Sequence, residues 1–195
     1  MKNLKLAAAA VDASVSFSAA ASSPFSDMYV FGDSLFDSGN IEEGLRFTNR
    51  IGPDYQNSPY GPASPMFAAA GLGLSVPPSE FGGTNYAVGG HLTADVLASV
   101  TSSTTYVAPA GTFNSYFYDL DRQGRELDAR AVFLVEGGGN DIPAFVPPDQ
   151  VSSNLVAAAQ ALRDRGAKYV VLSNVPDFGA APAGVAIEGL VRPLI

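Results

Sequence analysis

Residues 131–172 read AVFLV EGGGN DIPAF VPPDQ VSSNL VAAAQ ALRDR GAKYV VL. The first five, Ala131 to Val135, form a continuous apolar run, as expected of a strand buried on both faces. Gly137, Gly138 and Gly139 end it. Ser152 or Ser153 can cap a helix that carries Leu155, Ala158, Ala159 and Leu162 at helical spacing to about Arg165. Gly166 is placed to cap its C-terminus. Lys168-Tyr-Val-Val-Leu172 then reads as a second buried strand. Strand, helix and strand in this order make one right-handed crossover, which argues for an α/β fold with a parallel sheet.

Outward from that unit, Asp27-Met-Tyr-Val-Phe31 is a short strand running straight into Gly32-Asp33-Ser34. Residues 38–65 are rich in Gly, Pro, Asn and Ser and read as loop, with a helical turn near 41–47. A short helix is expected over 65–74, and residues 75–90 return to loop around a strand-like Asn85-Tyr-Ala-Val88. Residues 94–100 are too short to assign. A helix is expected from about Thr112, with Phe113, Tyr116, Phe117 and Leu120 at helical spacing. Residues 174–184 read as loop, and 185–195 as an apolar segment broken by Pro193. The strands at 28–31, 131–135 and 169–172 are expected to lie parallel and adjacent, or nearly so, in a three-layer arrangement.

The chain has 195 residues, enough for one domain. With 47% hydrophobic and 15% charged residues it can bury a sizeable core. Asp and Glu outnumber Lys and Arg by 19 to 11, for a net charge of −8, the opposite of what a phosphate-neutralising nucleic-acid binder needs. The absence of Cys excludes disulfides, thiolate metal sites and a cysteine nucleophile, and a single histidine, His91, excludes a multi-histidine metal site. No cofactor is expected.

Residues 1–21 read as a secretory signal peptide: Lys2 and Lys5, an alanine-rich stretch from Leu6, and Ala19-Ala20-Ala21 before Ser22. The run is too short for a membrane span, and Asp12, Ser14, Ser16 and Ser18 interrupt it. Residues 22–195 are then the domain. An export signal places the protein in a bacterial periplasm, at the cell surface or outside the cell.

In an open parallel sheet, ligands gather at the carboxyl ends of the strands. Three such places carry small and polar residues. Gly32-Asp33-Ser34-Leu35 follows the first strand, and a serine entering a turn there exposes its hydroxyl. In Gly82-Gly-Thr-Asn-Tyr-Ala-Val-Gly-Gly90 the glycines let backbone N–H groups approach a ligand. Gly138-Gly139-Asn140-Asp141 follows the second strand and offers a side-chain amide. A nucleophile with converging donors is what acyl transfer requires. Each motif alone is an ordinary turn or loop; the three together, in order and at strand ends, are not.

On these residues the sequence resembles the GDSL, or SGNH, serine esterases and lipases. Phe31-Gly-Asp-Ser-Leu-Phe-Asp-Ser-Gly-Asn40 is similar to the family's first block, Gly83-Thr-Asn-Tyr-Ala-Val-Gly-Gly90 to the second and Val135-Glu-Gly-Gly-Gly-Asn-Asp-Ile142 to the third. Residues 167–179 resemble the strand and loop that follow in the secreted, lipase-like branch. The resemblance implies a three-layer α/β/α fold and hydrolysis of a small-molecule or lipid ester through an acyl-serine. It implies Ser34 as nucleophile, and oxyanion donors from the Ser34 and Gly89 backbone N–H groups and the Asn140 side chain. Asp33 is expected to support the turn and Asp141 to orient the Asn140 loop. The family's Asp-x-x-His block has no counterpart here, so the last strand, the last helix and the catalytic histidine loop are expected to be missing.

His91 has two readings: a substitute base for Ser34, or a loop histidine. A base needs reach to the serine and an orienting partner, and the sequence shows neither. Tyr86, Tyr116 and Tyr118 read as packing residues. Two alternatives to an esterase are a catalytically inactive remnant and a flavodoxin-like binding module; the absence of a phosphate-cradling motif argues against the latter.

Overall fold

The computed structural model describes residues 23–54 and 56–173; the expectations for residues 1–21 and 174–195 lie outside them. The elements run β1 (Met28–Phe31), α1 (Ser64–Gly71), α2 (Thr93–Thr101), β2 (Thr105–Ala108), β3 (Gly111–Asn114), α3 (Tyr116–Gln123), β4 (Val132–Val135), α4 (Pro148–Asp164) and β5 (Tyr169–Leu172), with a 3-10 turn at Ser79–Phe81.

β4 lies between β1 and β5 and is parallel to both, in registers that pair Phe31 with Val135 and Val135 with Leu172. These are the strands expected from the apolar runs. Residues 85–88 run along the other side of β1: Tyr86 N–H donates to the Val30 carbonyl at 2.7 Å and Val88 N–H to that of Gly32 at 3.1 Å.

Side chains alternate across a strand, so the sheet has two faces to cover. Tyr29, Phe31, Phe133 and Val135 pack with Val96 and Val100 of α2, Leu120 of α3 and Leu155 and Leu162 of α4. Met28, Val30 and Val132 pack on the other side with Ala69 of α1 and with Val76. Helices on both faces make the expected three layers. Tyr116 is the hub of the first core, its ring 4.7 Å from Tyr29, 5.6 Å from Tyr86 and 5.9 Å from Phe133. Tyr86 and Tyr116 are therefore packing residues, as read.

Four local expectations are corrected. First, α4 starts at Pro148 rather than at a serine cap. Pro147 is extended, and Pro148 has its φ preset for the first helical turn, where no N–H is needed. Ser152 sits inside the helix, its Oγ donating to the Pro148 carbonyl at 2.9 Å. The C-terminal end is as expected: Gly166 has φ +111°, its N–H reaches the Arg163 carbonyl at 2.9 Å, and Ala167 N–H reaches that of Leu162 at 3.0 Å.

Second, Thr112 and Phe113 belong to a strand. β2 and β3 form an antiparallel hairpin across Pro109 and Ala110, which buries Tyr106, Ala108 and Phe113 against Val88. The helix begins at Tyr116, where Ser115 Oγ accepts the Tyr118 N–H at 3.1 Å. Third, residues 41–47 form turns and no helix. Fourth, β5 is not buried: Tyr169 and Val171 are each 48% exposed, because β5 is the outer strand of the described sheet. Residues 94–100, left unassigned, lie in α2.

Phe133 is fully buried at the centre of the sheet and stacks on Tyr29 at 5.3 Å. Phe133→Ala is expected to cost about 3–5 kcal/mol, read from the urea midpoint. A loss below about 1 kcal/mol would contradict this placement of the core.

Candidate active site

The turn after β1 is organised by its own carboxylates. Asp33 is buried; its Oδ1 accepts the Leu35 N–H at 2.9 Å, and its carbonyl accepts the N–H groups of Phe36 and Asp37 at 3.1 and 3.0 Å. That closes one tight turn and leaves Ser34 half-buried at its start. Asp33 thus supports the turn, as the resemblance implied.

Asp37 closes the next bend. Its Oδ1 accepts the N–H groups of Gly39 and Asn40, each at 2.8 Å, and its Oδ2 accepts the Gly89 N–H at 2.9 Å. Asn40 then bridges to the strand-like segment, its Nδ2 donating to the carbonyls of Asn85 and Ala87 at 2.7 and 2.8 Å. Burial raises the pKa of both Asp33 and Asp37, and the backbone donors oppose it.

Gly89 lies against the loop that follows. A Cβ there would overlap the Phe47 ring and sit 3.1 Å from Ile41 Cδ1, so these two side chains pack directly over the glycine and would have to move for a larger residue.

Asn140 follows β4, and its Nδ2 donates to the His91 carbonyl at 2.9 Å. Asp141 is buried and caps the start of α2: its carboxylate accepts the Thr93 N–H at 2.9 Å and the Thr93 hydroxyl at 2.7 Å. Asn154 of α4 donates to the same hydroxyl at 3.1 Å. The three segments read from the sequence therefore meet at one edge of the sheet, joined by Asp37–Gly89 and His91–Asn140. The Gly89 N–H is engaged by Asp37, while Asn140 Nδ2 retains a second hydrogen. Cavities of about 400 Å³, lined by Asp27, Tyr86 and Arg125, and about 380 Å³, lined by Met66, Leu74 and Val76, lie away from Ser34, Gly89 and Asn140.

His91 is fully buried. Nδ1 lies 3.1 Å from the Gly32 carbonyl and Nε2 3.3 Å from the Tyr106 hydroxyl. A proton on Nδ1 satisfies the carbonyl and leaves Nε2 to accept from Tyr106. Burial holds its pKa down to about 4, so it is neutral at pH 7. Both ring nitrogens are occupied by these partners, which is the loop-histidine reading.

A model of the GDSL-like lipase/acylhydrolase family matches residues 28–193, a span that takes in all three segments. The chain belongs to that family. It is 35% identical over 198 residues to esterase EstA of Pseudomonas aeruginosa, covering 84% of this chain and 30% of that protein. It is 31% identical over 166 residues to lipase 1 of Photorhabdus luminescens, covering 81% of this chain and 23% of that one. A Pseudomonas putida protein described only by its place between trpE and trpG is 36% identical over 187 residues, or 84% of this chain and 30% of that protein. The chain thus spans less than a third of these relatives' length.

The sequence reading passed over Asp37, Thr93, Tyr106 and Glu136. Asp37-Ser-Gly-Asn40 carries a readable signal, since Asp and Gly at this spacing favour a side-chain-closed turn. Glu136 signalled itself only as an acid directly after an apolar run.

The pKa of His91 is depressed relative to the unfolded chain, so its contribution to stability is complete above about pH 6.5 and lost as pH falls through about 4. The gap in melting temperature between the parent and His91→Gln is expected to narrow from pH 7 to pH 4. A gap independent of pH in that window would contradict a buried, neutral His91.

Proposed function

We propose that this chain carries the nucleophile and oxyanion-binding part of a serine ester hydrolase. The observation that carries this reading is the meeting of the Ser34 turn and the Asn140 loop at the carboxyl edge of adjacent parallel strands. Ser34 Oγ attacks the ester carbonyl carbon, the alcohol departs, and water then releases the acid from the acyl-serine. The oxyanion is stabilised by the Ser34 N–H and the second Asn140 amide hydrogen. Gly89 joins them once its N–H leaves Asp37. The match to lipases and acylhydrolases favours this reading over a binding module or an inactive remnant. The substrate is an ester with a small or lipid acyl group, by analogy with relatives named esterase and lipase.

Ser34 needs a general base, and His91, the single histidine, is committed to Gly32 and Tyr106. The export signal read in residues 1–21 puts the enzyme outside the cytoplasm. A mature N-terminus at Ser22, read by mass spectrometry, would support that, and protein confined to the cytoplasm with its leader intact would contradict it.

The purified chain is expected to hydrolyse a short-chain aryl ester weakly, roughly 10³–10⁴-fold above water, as serine hydrolases stripped of triad members do. That residual rate comes from the oxyanion hole and binding, so Asn140→Ala should lower it by about 10²-fold. Equal hydrolysis by the parent and Asn140→Ala would contradict the assignment of the oxyanion donor.

A further inference from the structure

Glu136 follows β4 directly and lies across from the nucleophile turn, its N–H donating to the Phe31 carbonyl at 3.0 Å. Its side chain is 2% exposed, as is that of Asp33. Oε2 accepts the Asp33 N–H at 3.3 Å, while Oε1 is buried and has no hydrogen-bond partner. The Glu136 carboxyl group thus lies against the Asp33 backbone, and the charge of the buried Asp33 carboxylate acts on it. A Cβ on residue 32 would lie 2.8 Å from Glu136 Oε2, so the glycine before Asp33 makes room for this carboxyl group.

No cation neutralises the pair: the ion pairs among the described residues are Arg122–Asp119 and Arg165–Asp121. Two buried carboxyl groups in contact cannot both ionise without large cost, so one proton stays between them. A protonated Glu136 uses one oxygen to donate to Asp33 and the other to accept the Asp33 N–H. It then satisfies the otherwise orphaned atom and holds the turn at both its side chain and its backbone.

We propose that Glu136 is a positioning residue for Ser34: its protonated carboxyl group clamps Asp33, and loss of that proton loosens the turn that presents the nucleophile. The proposal rests on the reading of Ser34 as nucleophile. Among the described residues, the Ser34 hydroxyl also acts on Asp33, and the titratable groups around the pair are these. Asp33 comes from the turn after β1. Asp141, from the loop after β4, adds its charge at Asp33, and Asp95 of α2 is the next acid beyond it. His91, before α2, binds the Gly32 carbonyl as a neutral ring. Burial first, and the Asp33 charge second, raise the pKa of Glu136 to about 7. The clamp's contribution to stability is therefore complete below about 4.5 and lost as pH rises through about 7, opposite in sign to that of His91.

The test is NMR of the full chain from pH 5 to pH 9, following the glutamate side-chain carboxyl carbons and the backbone amides of Asp33, Ser34 and Leu35. One glutamate is expected to titrate near pH 7, and the three amides should move with the same midpoint. Glu136→Gln, a neutral mimic of the protonated acid, should remove that titration and hold the amides near their low-pH positions. Asp33→Asn should shift the Glu136 midpoint downward, because the charge facing it is gone. If Glu136→Gln does not fold, the parent and Asp33→Asn decide the matter. The proposal is overturned if no glutamate titrates above pH 6, or if the Ser34 amide titrates identically in Glu136→Gln. Phosphonylation by a fluorophosphonate separates the two readings. An adduct on a residue other than Ser34 would remove the nucleophile, while the amide titration would still decide whether Glu136 holds the turn.

Discussion

The register that pairs Phe31 with Val135 brings two adjacent parallel strands to the same edge of the sheet at the same level. Everything at the candidate site follows from that pairing. Parallel strands end together, so the turn bearing Ser34 and the loop bearing Asn140 leave the sheet side by side. Glu136 comes to rest beneath Gly32 and Asp33 for the same reason. A slip of one residue in β4 would send Phe133 and Val135 to the opposite face and take the aromatic core apart. The apolar packing around Tyr116 and the polar geometry at the strand ends are thus specified by one register.

The site is acidic, and none of the ion pairs among the described residues involves its buried acids. Asp37 is satisfied by the N–H groups of Gly39, Asn40 and Gly89, and Asp141 by the N–H and hydroxyl of Thr93 at the start of α2. Backbone donors of this kind fix loop geometry tightly, because in a low-dielectric interior a carboxylate that lost them would be costly. Asp33 and Glu136 are the exception, since they face each other and need a proton between them. If that proton holds the Ser34 turn as proposed, proton concentration, more than ionic strength, is the variable to which the turn responds; salt screens buried charges poorly.

Much of this was legible in the chain. The apolar runs at 28–31 and 131–135 declared a parallel sheet because a strand covered on both faces has no polar alternation to disguise it, and 169–172 shows the same run although its outer position leaves it half exposed. The glycine-bounded polar segments at the strand ends marked the place where the candidate residues meet. Phe113 and Tyr116 misled because they are spaced as one helical face yet lie on either side of Ser115, the boundary between β3 and α3. The Pro147–Pro148 start of α4 was hidden behind two serines that resemble caps. The partners of His91 and the contact between Glu136 and Asp33 join residues far apart in sequence, and no local pattern announces such pairings.

The most direct measurement is a crystal structure of the chain after reaction with a small fluorophosphonate, whose phosphoryl oxygen stands where the ester oxyanion would. The account predicts a bond from phosphorus to Ser34 Oγ, with the phosphoryl oxygen accepting from Asn140 Nδ2 and the Ser34 N–H, each at about 3 Å. An adduct on another residue, or a phosphoryl oxygen turned away from Asn140, would contradict it.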